Sequence, residues 1–135
     1  MVLPMKKFDE EKLKSLGVVA ILIFGSLVEG TFHIGSDIDF AVLFRDKTLP
    51  MKEPVKVYGE IYSEISKNFD GKIDIVYLHE APLSLQFNAV TEGKLLFCSD
   101  TEFFSEYKDR VIMQYLDFQY FENIFKESLL ADEQT

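Results

Sequence analysis

The possible fold of this chain is constrained most by a short stretch that lies between two apolar runs. The first run, Val18–Phe24, is rich in β-branched residues and is followed directly by the dipeptide Gly25-Ser26. Ten residues later come Asp37 and Asp39, which lead into a second apolar run. Uninterrupted apolar runs of this length are typical of strands that are buried on both faces. The pattern therefore predicts two buried strands, a glycine turn after the first, and two carboxylates at the entrance of the second.

The rest of the chain alternates between helical and strand-like patterns. Apolar residues at helical spacing and glycines after the last turn indicate helices, whereas short β-branched runs indicate strands. Helices are predicted over residues 9–16, 55–69, 81–92 and 101–130, the last as one helix or a pair, and strands over residues 18–24, 37–44, 72–78 and 95–98. Residues 45–54 are predicted to form a polar connection. The predicted fold class is α+β (mixed α/β), in a single domain over residues 1–135.

Composition narrows the class of protein. The 135 residues include 14 basic and 23 acidic side chains, which give a net charge of −9, and 47% of the residues are hydrophobic. This balance is typical of a globular domain, and no basic stripe is present for a nucleic-acid backbone, so no long nucleic acid is expected as a partner. No apolar run approaches the ~20 residues of a membrane span, there is no signal-peptide pattern, and the lone Cys98 cannot form an internal disulfide. We therefore expect a cytoplasmic protein without membrane contact.

Three carboxylates are the candidate catalytic and metal-binding residues. Because strand side chains alternate between faces, Asp37 and Asp39 are expected to point the same way, with Cα atoms about 6.6 Å apart. Asp74 likewise interrupts an apolar run, near the start of the third predicted strand. If that strand pairs beside the second, the three carboxylates converge, and their repulsion favours binding of Mg²⁺ or Mn²⁺. Asp37 and Asp39 would ligate the metal, and Asp74 would complete the site or accept the proton of an attacking hydroxyl.

Gly25 and Ser26 form the candidate phosphate-binding turn. A glycine after a buried strand can adopt backbone angles that other residues resist, and the N–H groups that follow it can point at an anion. A short helix beginning near Ser26 would add its positive end, and the Ser26 hydroxyl would add a further donor. Taken alone, a Gly-Ser turn is unspecific and each aspartate more often caps a strand end in water. In combination they predict a site for the β- and γ-phosphates of a nucleoside triphosphate.

These residues resemble the signature of a known family. The Gly25-Ser26 turn, ten residues, Asp37-x-Asp39 and a later Asp74 in a strand are similar to the DNA polymerase β-like nucleotidyltransferases, and most of all to their minimal members, the MNT proteins. The resemblance is carried mainly by residues 23–30, 35–42 and 92–97. It implies a short mixed β-sheet flanked by helices, with a long C-terminal helix or helix pair after it.

The resemblance also implies an enzyme and a partner. The implied activity is Mg²⁺-dependent transfer of a nucleoside monophosphate, AMP from ATP in the first place, to a hydroxyl on a partner protein. The three aspartates match the catalytic metal carboxylates, and Gly25, Ser26 and Ser36 match the nucleotide-binding residues. MNT proteins are often paired with a helical HEPN protein as a toxin–antitoxin couple, in which the MNT member AMPylates a tyrosine of the toxin. A HEPN-type partner is therefore expected.

Two other functions stay open. Members of the family often carry basic residues after Gly-Ser, whereas Leu27 and Glu29 stand here. The loss of two positive side chains near a triphosphate would weaken nucleotide binding, so the first alternative is a weak or inactive binding module that acts by complexing its partner. The second is a nucleotidyltransferase that acts on a cationic small molecule of the aminoglycoside type, although 135 residues leave little room for a substrate domain.

The last predicted helix is apolar over much of its circumference. One stripe, expected to cover the sheet as ordinary core, consists of Phe104, Tyr107, Val111, Tyr115, Phe118, Phe121 or Glu122, and Phe125. A neighbouring face consists of Phe103, Ile112, Leu116, Tyr120 and Ile124. A helix that is apolar on so many sides is either sandwiched within its domain or docks on another chain. The pattern therefore predicts a helical partner, or a homo-oligomer, that binds through this helix.

Overall fold

A computed structural model of the chain describes residues 8–25 and 38–133, with side chains up to residue 131. Four strands, five α-helices and one 3-10 helix (Leu78–Glu80) form within these residues. In chain order the strands and α-helices are α1 (Glu10–Ser15), β1 (Val18–Phe24), β2 (Ile38–Phe44), α2 (Thr48–Lys52), α3 (Pro54–Ser66), β3 (Ile73–Tyr77), α4 (Leu83–Glu92), β4 (Lys94–Cys98) and α5 (Thr101–Glu133).

The four strands form one mixed sheet in the order β3-β2-β1-β4. The strand β1 pairs antiparallel with both β2 and β4, whereas β2 and β3 are parallel neighbours. Parallel neighbours need a crossover connection, and the helices α2 and α3 lie in the chain between these two strands. The predicted fold class, a short mixed sheet flanked by helices, is confirmed.

Each face of the sheet carries its own apolar cluster. Along β2, Phe40 and Val42 join the cluster that α1 and α3 cover. The residues between them and after them, Ala41 and Leu43, join the cluster that α4 and α5 cover. Because helices cover both faces, the central strands can be apolar at every position, which explains their uninterrupted apolar runs.

The helix α2 lies in the segment that was predicted as a polar connection. It spans five residues, Thr48–Lys52, which is too short to show the apolar period on which helix prediction depends. Its start is supported by the Asp46 carboxylate, which accepts a hydrogen bond from the Thr48 backbone N–H at 2.8 Å. The prediction of a connection without secondary structure is therefore wrong at this position.

The beginning of α5 is held to the domain by polar contacts. The Asp100 carboxylate accepts a hydrogen bond from the Phe103 backbone N–H at 3.0 Å and pairs with the Arg45 guanidinium at 2.9 Å. These two contacts keep the pKa of Asp100 below its ordinary value. Further along the helix, the Tyr107 hydroxyl donates to the Gln86 side chain of α4 at 2.6 Å. The two helices are thus joined by a hydrogen bond as well as by apolar packing.

The predicted packing of α5 is correct only for its first half. Tyr107 and Val111 are buried, but Phe118, Phe121 and Phe125 are 56, 67 and 64% exposed. The prediction that these three rings cover the sheet is wrong because a helix of 33 residues is about 50 Å long, whereas strands of five to seven residues extend about 16–23 Å. In the described part of the chain no helix, α5 included, is long and apolar enough to cross a membrane.

Candidate functional site

Asp39 and Asp74 lie side by side on adjacent strands. They are the second residues of β2 and β3, and the parallel pairing of these strands places the two Cα atoms opposite each other. Neighbouring strands lie about 4.8 Å apart. One step earlier, the Ile38 backbone N–H donates to the Lys72 carbonyl at 2.9 Å, so the pairing extends to the very start of both strands. The third strand thus pairs beside the second, which meets the condition under which the sequence brings these carboxylates together.

The two carboxylates project from the same face of the sheet. Asp39 lies on the same face of β2 as Ala41 and Leu43, which belong to the cluster under α4 and α5. Asp74 shares this face because it is paired with Asp39. Asp39 is partly buried and Asp74 is exposed. The pair therefore lies where the apolar packing of this face ends, and a ligand can reach it from solvent.

Gly25 lies against the Asp39 carboxylate. Phe24, the last residue of β1, pairs with Asp39, and Gly25 follows it with a φ of +89°. This is the left-handed region of backbone conformation, which favours glycine. A Cβ at this position would lie 2.7 Å from Oδ2 of Asp39. The expectation of backbone angles that other residues resist is thus met, and the missing side chain also leaves room for the carboxylate.

Sequence reasoning placed Phe24 at a strand end and Gly93 after a helix, but it did not predict that they hold the end of β1 in place. Phe24 packs against the cluster under α4 and α5 and so fixes the strand end beside Asp39. On the other side of β1, a Cβ on Gly93 would collide with the Ala89 carbonyl and lie 3.3 Å from the Ile23 carbonyl oxygen. A glycine before β4 is therefore what allows this strand to approach β1. The sequence signal for this close approach was the glycine at position 93, directly before a strand-like run.

Three of the predicted site residues lie outside the described residues. They are Ser26, Ser36 and Asp37, and the two departures from the family pattern, Leu27 and Glu29, lie there as well. Within residues 8–25 and 38–133 no three acidic, histidine or cysteine side chains gather closely enough to hold a metal ion. The pair of Asp39 and Asp74 is the part of the predicted trio that these residues contain. The roles of all six predicted site residues stay predictions.

The pair suits a hard divalent cation. Two carboxylates on neighbouring strands repel each other, and a cation between them removes that repulsion. Their oxygen donors match the preference of Mg²⁺ and Mn²⁺, and the exposure of Asp74 leaves room for water or phosphate oxygens in the remaining positions. The space above Gly25, which a Cβ would fill, accommodates the Asp39 carboxylate. The residues present therefore fit the expected group.

Comparison with known sequences points to nucleotidyltransferases. The family model "Polymerase beta, Nucleotidyltransferase" matches residues 8–102 of the chain. A protein adenylyltransferase MntA of Shewanella oneidensis is 34% identical over 99 residues, which cover 69% of this chain and 68% of that protein. A protein adenylyltransferase MntA of Aphanizomenon flos-aquae is 29% identical over 98 residues, which cover 69% of this chain and 65% of that protein. The chain thus spans about two thirds of the length of these curated relatives.

Comparison with solved structures gives the same fold. A toxin–antitoxin structure with AMP-PNP contains a chain that matches with a TM-score of 0.62 and 26% identity, over 90% of this chain and 98% of that one. A structure of a tri-AMPylated Shewanella oneidensis HEPN toxin in complex with an MNT antitoxin matches with a TM-score of 0.53, over 90% of this chain and 95% of that one. The second likeness, at 22% identity, shows the fold alone.

Proposed function

Because the chain belongs to the polymerase beta nucleotidyltransferase family, we propose that it transfers AMP from Mg·ATP to a hydroxyl on a partner protein. We propose further that this partner is a HEPN-type helical toxin, that the chain acts as its antitoxin, and that the pair works in the cytoplasm. The names of the curated relatives and the nucleotide of the solved toxin–antitoxin support the proposal. In this chain the observation that carries it is the in-register pair of Asp39 and Asp74 beside Gly25.

The proposed reaction assigns a task to each predicted residue. The backbone after Gly25, with Ser26 and Ser36, binds the phosphates of ATP, and Asp37 and Asp39 hold the divalent cation. When bound, the cation supplies neutralising charge for the triphosphate. The acceptor hydroxyl oxygen forms a bond to the α-phosphorus while the bond from that phosphorus to the bridging oxygen of the β-phosphate breaks. Pyrophosphate leaves.

This assignment places Asp74 beside the incoming acceptor. Its carboxylate is exposed, whereas that of Asp39 is partly buried against the turn. An exposed carboxylate on the same face can accept the proton that the acceptor hydroxyl loses. It can also complete the coordination of the cation.

The test is transfer of label from [α-³²P]ATP to the purified product of the neighbouring gene, which the proposal expects to be a HEPN protein. We expect Asp39→Asn and Asp74→Asn each to lower the rate at least about 100-fold, since each removes a charge that acts on the reacting groups. Asp109→Asn, which changes an exposed carboxyl of α5, is the matched control and should leave the rate within about twofold. Full labelling by both site variants would disprove the assigned chemistry.

A second function is favoured by one observation, the presence of Leu27 and Glu29 where relatives often carry basic residues. With this function the chain is a binding module that neutralises its partner by complex formation. Wild-type protein would then bind the HEPN protein and inhibit it without transferring label, and Asp39→Asn would inhibit equally well. Labelling of the partner by wild type together with loss of inhibition in Asp39→Asn excludes this function.

A further inference from the structure

The second half of α5 exposes an unusual amount of apolar surface. Tyr115 stacks on Phe87 of α4 with ring centroids 4.1 Å apart. Beyond Tyr115, every large apolar side chain of the helix is at least 45% exposed. We refer to residues 113–131 as the projecting half of α5. Its exposed apolar residues are Met113, Leu116, Phe118, Tyr120, Phe121, Ile124, Phe125, Leu129 and Leu130.

Most of these residues fall on two stripes. The front stripe continues the buried line of Tyr107 and Val111 at helical spacing, and it consists of Phe118, Phe121, Phe125 and Leu129. The back stripe consists of Met113, Leu116, Tyr120 and Ile124. At about 100° per residue the centres of the stripes lie roughly 140° apart around the helix. One flat surface cannot cover both.

The exposed area is large enough for a stable interface. With about 200 Å² for a large side chain, these nine residues at roughly half exposure present on the order of 900 Å². This is about what one partner contributes to a protein–protein interface of standard size. Soluble monomers rarely leave a patch of this size open unless it binds something.

The charge of the helix indicates whether a second copy of this chain or a different protein binds the projecting half of α5. Asp117 lies between the stripes, Glu122 flanks the front stripe and Glu127 falls within the back stripe, while the cation Lys126 is already paired with Glu122 at 2.8 Å. The chain as a whole has a net charge of −9. Two copies would bring like charges together along the seam, which opposes association, whereas a partner with a basic rim would be attracted.

We infer that the projecting half of α5 is clamped between two helices of the acceptor protein, whose apolar surfaces are rimmed by Lys and Arg. This inference rests on the proposed function for the identity of that protein. Docking here also suits the reaction, because α5 covers the face of the sheet from which Asp39 and Asp74 project. The partner is thereby held on the same side of the sheet as the carboxylates.

The test compares one double variant for each stripe. Phe121→Ser/Phe125→Ser alters the front stripe, and Leu116→Ser/Tyr120→Ser alters the back stripe. All four residues are more than half exposed, so both variants should fold as wild type does, which circular dichroism checks. Gln119→Ser/Asn123→Ser, which changes two exposed polar residues of the same helix outside both stripes, is the matched control.

Binding of each full-length variant to the purified HEPN protein is measured by titration calorimetry. We expect each stripe variant to raise Kd about 30-fold or more, as loss of central interface residues does, and the control to change it less than about threefold. An effect confined to one stripe would overturn the clamp. Wild-type protein that forms a dimer through this helix, or that does not bind the HEPN protein, would overturn the inference altogether.

The two proposals can fail separately. If wild type labels the HEPN protein and the stripe variants bind it with unchanged Kd, the docking surface is wrong and the proposed activity stands. If the stripe variants lose binding but wild type transfers no label, the docking surface stands and the activity is wrong.

Discussion

The absence of a side chain at Gly25 matters twice: it permits the backbone conformation there, and it leaves room for the Asp39 carboxylate. The φ of +89° is unfavourable for any residue with a Cβ, and the Cβ would also lie 2.7 Å from Oδ2 of Asp39. Gly71 has a similar φ of +97°, but a Cβ there would meet nothing within 4 Å. These two glycines therefore separate backbone strain from displacement of a carboxylate.

We expect Gly25→Ala and Gly71→Ala to lower the free energy of unfolding by similar amounts, about 1–2 kcal/mol each. Only Gly25→Ala should abolish AMP transfer, because the new methyl group displaces the Asp39 carboxylate. Urea unfolding and the labelling assay measure the two effects. Equal transfer by the two variants would show that the position of this carboxylate does not matter for the reaction.

Among the elements, α1 and α3 are joined by a buried carboxylate. Glu64 of α3 is 1% exposed, and it accepts hydrogen bonds from the Asp9 backbone N–H at 2.9 Å and from the Lys67 ammonium at 2.7 Å. The Lys12 ammonium lies 3.4 Å away. Burial by itself would raise the pKa of Glu64, but the hydrogen bonds and the two positive charges outweigh it and hold the pKa below the ordinary value.

A lowered pKa makes this contact sensitive to acid. A carboxyl whose pKa is lower in the folded state stabilises the protein above its unfolded pKa, and that contribution is lost as the pH falls through the folded value. We expect Glu64→Gln to cost about 1–3 kcal/mol at pH 7 and less as the pH falls below about 4.5. Urea unfolding at pH 7 and at a pH below about 4.5 checks this. Glu106→Gln, which changes an exposed carboxyl of α5, is the control. A cost that does not depend on pH would contradict the ionic role.

Local patterns in the sequence predicted the helices and strands better than they predicted the contacts between them. The run over residues 18–24 forms a strand with the predicted bounds, because six of its seven residues are buried and nothing in it interrupts the apolar pattern. By contrast, Glu64 looks like the polar side of a helix, and two of its partners, the Asp9 N–H and the Lys12 ammonium, lie more than fifty residues earlier. Likewise, the position of Asp39 and Asp74 near the starts of two apolar runs suggested a common site, but only the strand order fixes them as neighbours.

For the molecule as a whole, α5 belongs to the domain at one end only. Its first half contributes Tyr107 and Val111 to the core, and its projecting half continues the same apolar line into solvent. The amino-acid pattern is the same in both halves, so the sequence could not show where the sheet beneath the helix ends. The rings beyond that point were therefore assigned to the core.

Because only the first half of α5 packs on the domain, side-chain truncation should destabilise the protein in the first half and hardly at all in the projecting half. We expect Val111→Ala to lower the free energy of unfolding by about 2 kcal/mol, since it leaves a cavity in the core. Phe125→Ala, although it removes far more apolar volume, should change the stability of the isolated protein by no more than about 0.5 kcal/mol. Urea unfolding of the two variants decides the matter. If Phe125→Ala proves as costly as Val111→Ala, the projecting half packs on its own domain in solution.

The parallel pairing of β2 with β3 has a consequence for how the chain gains activity during synthesis. Asp39 emerges from the ribosome well before Asp74, and they become neighbours only after the intervening crossover has closed. A chain arrested before β3 has the glycine turn and the first carboxylate but lacks the second. Because the proposed reaction uses both carboxylates, it requires the finished sheet.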